Sequence, residues 1–331
     1  MVSLLAILGS VPDPRTGNAQ RHALLDMLVI ALAASVCGAE SCVDFAEFGE
    51  DRQELLREFL SLENGLPRHD TFSRLFRLLD PAAFGRALAA FLDDLGADGP
   101  GVMAIDGKTL RRSFDRAAGR SPLHVVTAFG PEARLVIGQS AVVPGGNEIT
   151  AARALLETLC LQGVLVTADA LHTQTETAAL VRERGGDYLF ALKGNHPLLA
   201  AEVAEFFADP EQNLETYQTV DTDHGRIKTR THRVSHAVDY LSSARLSPER
   251  FAAAVRAHWA IENALHWVLD VTFDEDRARN RKDNGPENLT ILRKLTLTLL
   301  RTARPKLPVP RKRKRAGWSD TFARSVIGQM R

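Results

Sequence analysis

Residues 102–143 read VMAIDGKTLRRSFDRAAGRSPLHVVTAFGPEARLVIGQSAVV. Three short runs rich in β-branched and aromatic residues, Val102 to Ile105, Leu123 to Phe129 and Arg134 to Val143, are separated by turn residues. This pattern predicts an antiparallel meander. The grammar then changes. A helix over Glu148 to Leu161, a strand over Val164 to Ala168, a helix over Thr175 to Arg184, a strand over Tyr188 to Leu192 and a helix over His196 to Phe207 come next. Such alternation adds parallel crossover strands to the same sheet.

Three antiparallel strands and then two crossover strands give the strand sequence of a ribonuclease H-like fold, a mixed α/β sheet with flanking helices. Upstream, residues 1–96 read as an all-helical N-terminal domain. Leu24 to Val36 is continuously apolar, and Thr71 to Leu79 sets Phe72, Leu75, Phe76 and Leu79 on one face, with Asp70 placed as its N-cap and Pro81 beyond its end. The stretch Gly96-Ala-Asp-Gly-Pro-Gly101 reads as a linker. The second domain spans 97–301. Within it residues 217–247 are polar and carry no clear pattern, and strong helices are expected from Pro248 to Leu269 and from Pro286 to Arg301. Residues 302–331 read as a basic, disordered tail.

Composition narrows the class. The 331 residues are 45% hydrophobic and 25% charged, ordinary for a globular chain with a sizeable core. The longest apolar run, Met27 to Val36, is too short to span a membrane. No basic residues precede the apolar start MVSLLAIL, so no signal peptide is expected. Cys37, Cys42 and Cys160 make no disulfide framework and suit a reducing, cytoplasmic setting. The net charge is zero, yet from Thr290 onward there are 12 Lys and Arg against one acid, Asp320. A basic end on an acidic body suggests a polyanion contact there, with Arg311, Lys312, Arg313, Lys314 and Arg315 as the densest block, although a merely solvated end would have the same composition.

Two strands end in aspartate: Asp106 in VMAIDG and Asp169 in VLVTADA. Carboxyl ends of strands in open α/β sheets are where sites form. Either aspartate alone could equally be a turn former, but the two strands should be neighbours. A third acid is Glu262. At about 100° per residue, Phe251, Val255, His258, Leu265 and Leu269 share a stripe roughly 80° wide that also contains Glu262. A carboxylate there needs a salt-bridge partner or a metal. Three oxygen ligands from two strands and a helix suit Mg²⁺ or Mn²⁺. Zinc is disfavoured, because no second Cys or His pair lies at finger spacing.

The motifs IDGKTLR (105–111), TADALHTQ (167–174), LKGNHP (192–197) and HWAIENALHWVLDVTFDEDRARNR (258–281) resemble the DDE transposases of ISAs-type insertion sequences, the H-repeat-associated proteins. PDPR at 12–15, RHALLDMLVIALAA at 21–34 and HDTFSRLFRLLDP at 69–81 are similar to that family's helical N-terminal region. The resemblance covers roughly residues 8–301. It implies a catalytic triad of Asp106, Asp169 and Glu262 holding Mg²⁺ or Mn²⁺, and action on DNA, both element ends and target, as a homo-oligomer away from any membrane. Lys108 and Lys193 become candidate DNA contacts. Lys193, Asn195, His258, Trp259, Asn263, His266, Trp267, Asp270 and Asp276 match the family pattern without an assigned role. One departure stands out. In such proteins further strands precede the serine pair before the glutamate helix, whereas here THRVSHAVDY (231–240) runs directly into LSSARLSPERF (241–251). An inactive remnant that binds DNA is therefore the alternative. A small-molecule phosphatase is less apt, since no second acid lies two residues after Asp106.

Overall fold

The N-terminal helices form because their apolar faces have a common partner. The computed structural model describes residues 3–94, 101–223, 226–236 and 241–330. Helices α1 (Leu4–Gly9), α2 (Leu24–Cys37), α3 (Cys42–Asp51), α4 (Gln53–Arg57), α5 (His69–Leu78) and α6 (Pro81–Asp94) come first. In α2 every residue from Met27 to Val36 is buried, so it is a core helix rather than an amphipathic surface one. It stops at Gly38, whose φ of 119° a side chain would resist. Helix α5 buries Phe72, Leu75 and Phe76 as the spacing predicts. Asp70 is not its cap. It lies inside the first turn, where a negative charge suits the helix dipole, while Asp80 accepts the Ala82 and Ala83 N–H groups at the start of α6. The Gly/Pro linker up to Pro100 lies outside the described residues.

The five-stranded sheet has the order β3-β2-β1-β4-β5, from β1 (Val102–Thr109), β2 (His124–Gly130), β3 (Leu135–Ala141), β4 (Leu165–Ala168) and β5 (Asp187–Phe190). Strands β1, β2 and β3 pair antiparallel, and β4 and β5 run parallel to β1. This is the ribonuclease H-like arrangement. Strand β1 is longer than the sequence suggests. Its second half, from Asp106 to Thr109, keeps pairing with β2 after β4 has ended at Ala168, opposite Ile105. Asp106 therefore stands inside a strand, at the point where its neighbour on one side stops.

One face of the sheet (Met103, Ile105, Val126, Val166) packs on α7 (Glu148–Thr158) and α8 (Thr175–Glu183). The other face carries Ala104, Phe129 and Val136 into a core shared with the N-terminal helices, α11 (Trp267–Phe273) and α12 (Gly285–Thr302). The expected boundary near residue 96 is thus not a boundary in packing, because the helical region and the sheet bury one continuous cluster. Helix α12 runs through its middle with nearly every residue buried. Two of its buried bases find partners inside: Lys294 Nζ donates to Thr127 Oγ1 at 2.9 Å and Gln139 Oε1 at 2.7 Å, and Arg293 lies 3.7 Å from Glu275.

Two segments depart from the sequence reading. The unassigned polar stretch contains an antiparallel hairpin, β6 (Glu215–Asp223) and β7 (Arg226–Val234), laid against α10 (Pro248–Ala260) through the His232 and Phe251 rings, 6.1 Å apart, and the Arg256–Asp221 ion pair at 2.9 Å. The tail is also folded. After α9 (Pro197–Ala208) and α12, the chain ends in α13 (Val309–Trp318) and α14 (Asp320–Ile327), whose Phe322, Ala323, Val326 and Ile327 join the main core. Lys312 and Arg313 are not free for phosphate: both are buried. Lys312 Nζ donates to the Leu300 carbonyl at 2.6 Å, and Arg313 donates to the Ser35, Ala39 and Thr272 carbonyls and pairs with Glu40. Arg311, Lys314 and Arg315 remain exposed, the last with its guanidinium 4.8 Å from the Phe322 ring centre.

Candidate active site

Strand register sets the two aspartates side by side. Ile105 and Ala168 are partners across parallel β1 and β4, so the next residue on each strand is Asp106 or Asp169. The alternation of side chains turns Asp106 to the same face as Ala104, and Asp169 to the same face as Leu165 and Thr167. Over that face passes one long helical run in three pieces: α10, a π-helical turn at Ile261–His266, and α11.

The π turn decides where Glu262 goes. Within it the Trp267 N–H reaches the Glu262 carbonyl five residues back, and Asn263 Nδ2 donates to the Trp259 carbonyl at 3.2 Å. A turn with one extra residue rotates the downstream helix by about 100° relative to the upstream one. Leu265 and Leu269 stay buried, but Glu262 is exposed rather than set in the apolar stripe that uniform helical spacing implies. The exposed carboxylate faces the strand end. Ligand atoms of Asp106, Glu262 and His266 lie within 4.8 Å of one another, and His266 Nδ1 is 3.3 Å from Asp106 Oδ2. His266 is buried, and its Nε2 has no partner among the described residues. Two carboxylates beside the point on the central strand where β4 stops supply the oxygen donors a hard divalent cation takes, and the imidazole adds a nitrogen.

Asp169 stands beside this cluster rather than within it. Its Oδ1 caps the short 3-10 turn Ala170–His172, accepting the Leu171 N–H at 2.9 Å. His258 links the groups. Its Nδ1 lies 3.2 Å from Thr167 Oγ1; burial pushes the imidazole below its ordinary value, while the charges of Asp106, Asp169 and Glu262 pull it back up. Lys193 is exposed and close enough for its charge to act on His258. The LKGNHP loop is tied to the turn after Asp169, with Asn195 Nδ2 donating to the Ala170 carbonyl at 2.7 Å and His196 Nε2 2.8 Å from the Thr173 carbonyl.

Lys108, a candidate DNA contact by sequence, is taken up inside. Its ammonium pairs with Asp270 and, at 3.0 Å, with buried Glu275. Burial alone would raise the Glu275 carboxyl, but Lys108 and Arg293 hold it below the usual range. Glu275 carries no sequence signal beyond its place in the DEDR run. A second cluster missed by sequence lies on the far face of β1. Glu148, the first residue of α7, has His124 Nε2 at 2.6 Å and His172 Nε2 at 3.1 Å, and a side chain on Gly107 would run into it. Its partners sit at the start of β2 and on the turn after Asp169, so one carboxylate ties the strand beside β1 to the turn that follows β4.

Against known proteins, residues 5–92 match the DDE_Tnp_1-associated family and residues 97–299 match the transposase DDE domain family. The chain belongs to the DDE transposase family. The H repeat-associated putative transposase YhhI of Escherichia coli (strain K12) is 33% identical over 367 positions, covering 98% of this transposase-family chain and 97% of that protein. An uncharacterized protein in the dhlA 3′ region of Xanthobacter autotrophicus is 42% identical over 241 positions, 70% of this chain and 80% of its own. A cryo-EM structure of the piggyBac transposase synaptic complex with hairpin DNA aligns over 98% of this chain and 76% of that one, at a TM-score of 0.43 and 12% identity. Since 367 positions align to a chain of 331 residues, YhhI has a few dozen positions with no counterpart in this family member. Among the described residues no single helix is long and apolar enough to cross a membrane.

Proposed function

We propose that this chain cuts phosphodiester bonds at the ends of a DNA element and joins the freed 3′-hydroxyl to a target strand. The observation that carries the reading is the convergence of Asp106 and Glu262, with His266, where Asp169 is the register neighbour of Asp106. Asp106, Asp169 and Glu262 would hold Mg²⁺ or Mn²⁺. When bound, paired divalent ions activate an attacking hydroxyl and stabilise the leaving oxygen. The chain's own residues do the positioning. Strand register sets the aspartates, the π turn presents Glu262, and exposed Lys193 offers a charge to a phosphate. Trp259 and Trp267, each 58% exposed on either side of Glu262, offer ring faces to unpaired bases. In the cutting step an oxygen of water bonds to phosphorus as the bond to the 3′-oxygen breaks, and that oxygen leaves as a 3′-hydroxyl. In the joining step the same 3′-oxygen bonds to a target phosphorus as the target's own bond from phosphorus to its 3′-oxygen breaks, the proton passing to the released target 3′-hydroxyl. The chain would act as a homo-oligomer on DNA, in the cytoplasm.

A second reading, an inactive copy that only binds DNA, is favoured by the positions present in YhhI and missing here. Nicking of DNA carrying the element's ends, measured with and without Mg²⁺ alongside DNA binding, separates the two. The first reading expects metal-dependent nicking by the wild type that Asp106→Asn and Glu262→Gln abolish while binding persists. Binding without nicking by the wild type selects the second, and nicking that survives both substitutions removes the site assignment.

A further inference from the structure

Lys108, Lys312 and Arg313 are engaged inside the fold, and besides Lys193 and the exposed bases of α13 a larger gathering of exposed positive charge lies elsewhere. Two loops carry it. The β1–β2 connection, residues 110–123, holds Arg111, Arg112, Arg116 and Arg120, and the segment after α11 holds Arg277, Arg279, Arg281 and Lys282; all eight are exposed. The loops form one surface. Arg281 Nε donates to the Arg112 carbonyl at 3.1 Å, and its guanidinium lies 4.5 Å from the Phe114 ring centre, with Arg116 at 5.3 Å from the same ring.

The acids nearby offset only part of this charge. Asp276 lies 3.5 Å from Arg111 and Asp274 3.6 Å from Arg277; Asp283 pairs with Arg77, and the Asp115 carboxylate accepts the Ala117 and Ala118 N–H groups. Among the described residues, Arg112, Arg120, Arg279 and Lys282 have no carboxylate partner. A gathering of like charges repels itself and is relieved by a polyanion. Guanidinium groups in particular match phosphate oxygens with paired donors.

We infer that these two loops are the docking surface for the phosphate backbone of duplex DNA, an inference that rests on the reading of the chain as a DNA-cutting enzyme. The spacing fits. Arg111 lies five residues beyond Asp106, in the turn that follows β1, so at most about 17 Å away, and half a turn of B-DNA is also roughly 17 Å. A duplex held by the loops therefore reaches the carboxylates within half a turn.

The test is a salt titration of binding by the full-length chain to a duplex of arbitrary sequence of about 30 base pairs, roughly three turns. One variant combines Arg112→Gln, Arg120→Gln, Arg279→Gln and Lys282→Gln. A second combines Arg311→Gln, Lys314→Gln and Arg315→Gln. Each phosphate that is no longer neutralised should lower the slope of log K against log salt by about 0.9. The loop variant is expected to drop in slope by up to about 3.6 and in affinity at least tenfold at low salt, with an unchanged melting midpoint, whereas the tail variant keeps the wild-type slope. Should the midpoint of the loop variant fall, the pair Arg279→Glu and Lys282→Glu carries the same test. Wild-type binding that the loop substitutions leave unchanged overturns the docking surface alone. A wild type that binds no duplex overturns the DNA-cutting reading itself, and the docking surface with it.

Discussion

At the scale of single residues, the candidate site is built from both sides of one strand. Asp106 faces the helical run that bears Glu262, and the next residue, Gly107, faces Glu148. A Cβ at Gly107 would come within 2.5 Å of His124 Nε2 and would also strike the Glu148 carboxylate, so glycine is required by close approach rather than by turn geometry. Gly107→Ala is expected to force these half-buried groups apart and to cost about 1–3 kcal/mol, as overpacking does. A urea titration checks it; an unchanged midpoint would show that the cluster yields without cost. The aspartates were legible in the sequence because strands ending in acid are a local pattern. The Glu148–His124–His172 cluster was not, since its members come from three elements and meet only through the fold. His266 was visible as part of a motif, but its approach to Asp106 depends on the π turn.

Elements show where periodicity succeeds and where it fails. Strands β1 to β5 were readable because apolar runs and turn residues mark them, although the end of β1 depends on pairing with β2 that no local pattern reports. The hairpin β6–β7 was not readable. Both its strands are mostly polar, and only a few side chains, such as Tyr217 and His232, turn toward α10. The glutamate helix was found, but uniform spacing placed Glu262 among buried residues, and a single π turn moved it to the surface. Helix α12 carries its own test. Burial pushes the Glu287 carboxyl up to about 7, above the roughly 4.3 of an unfolded chain. The folded state therefore binds the extra proton between these values. Its stabilising contribution is complete below pH 4 and is lost as pH rises through 7. Glu287→Gln should flatten the decline in stability between pH 5 and 8 and leave it nearly unchanged at pH 4. Equal pH dependence of the two proteins in chemical denaturation would contradict this.

For the whole molecule, the sign of the charge at the C-terminal end was legible and its use was not. Of the bases from Thr290 onward, Arg293, Lys294, Lys312 and Arg313 are buried with partners, and Arg324 pairs with Glu58. Basic composition alone does not distinguish a solvated arm from side chains that close orphan carbonyls at helix ends. Arg313 shows the difference: it binds carbonyls from α2, from the turn after it and from α11, and so fastens the last helices to the first. Arg313→Ala should cost about 1–3 kcal/mol, as leaving buried carbonyl acceptors without a donor does. A thermal melt of the full chain measures the destabilisation, and a midpoint equal to wild type would show that α13 is held by its apolar face alone. On the proposed reading the three carboxylates, Asp106, Asp169 and Glu262, act as one site. The most direct measurement is a Mn²⁺ titration of the protein–DNA complex followed by electron paramagnetic resonance, in the wild type and in Asp106→Asn, Asp169→Asn and Glu262→Gln. Specific Mn²⁺ binding that each of the three substitutions weakens at least tenfold is the expected result. Mn²⁺ binding that none of them alters would contradict it.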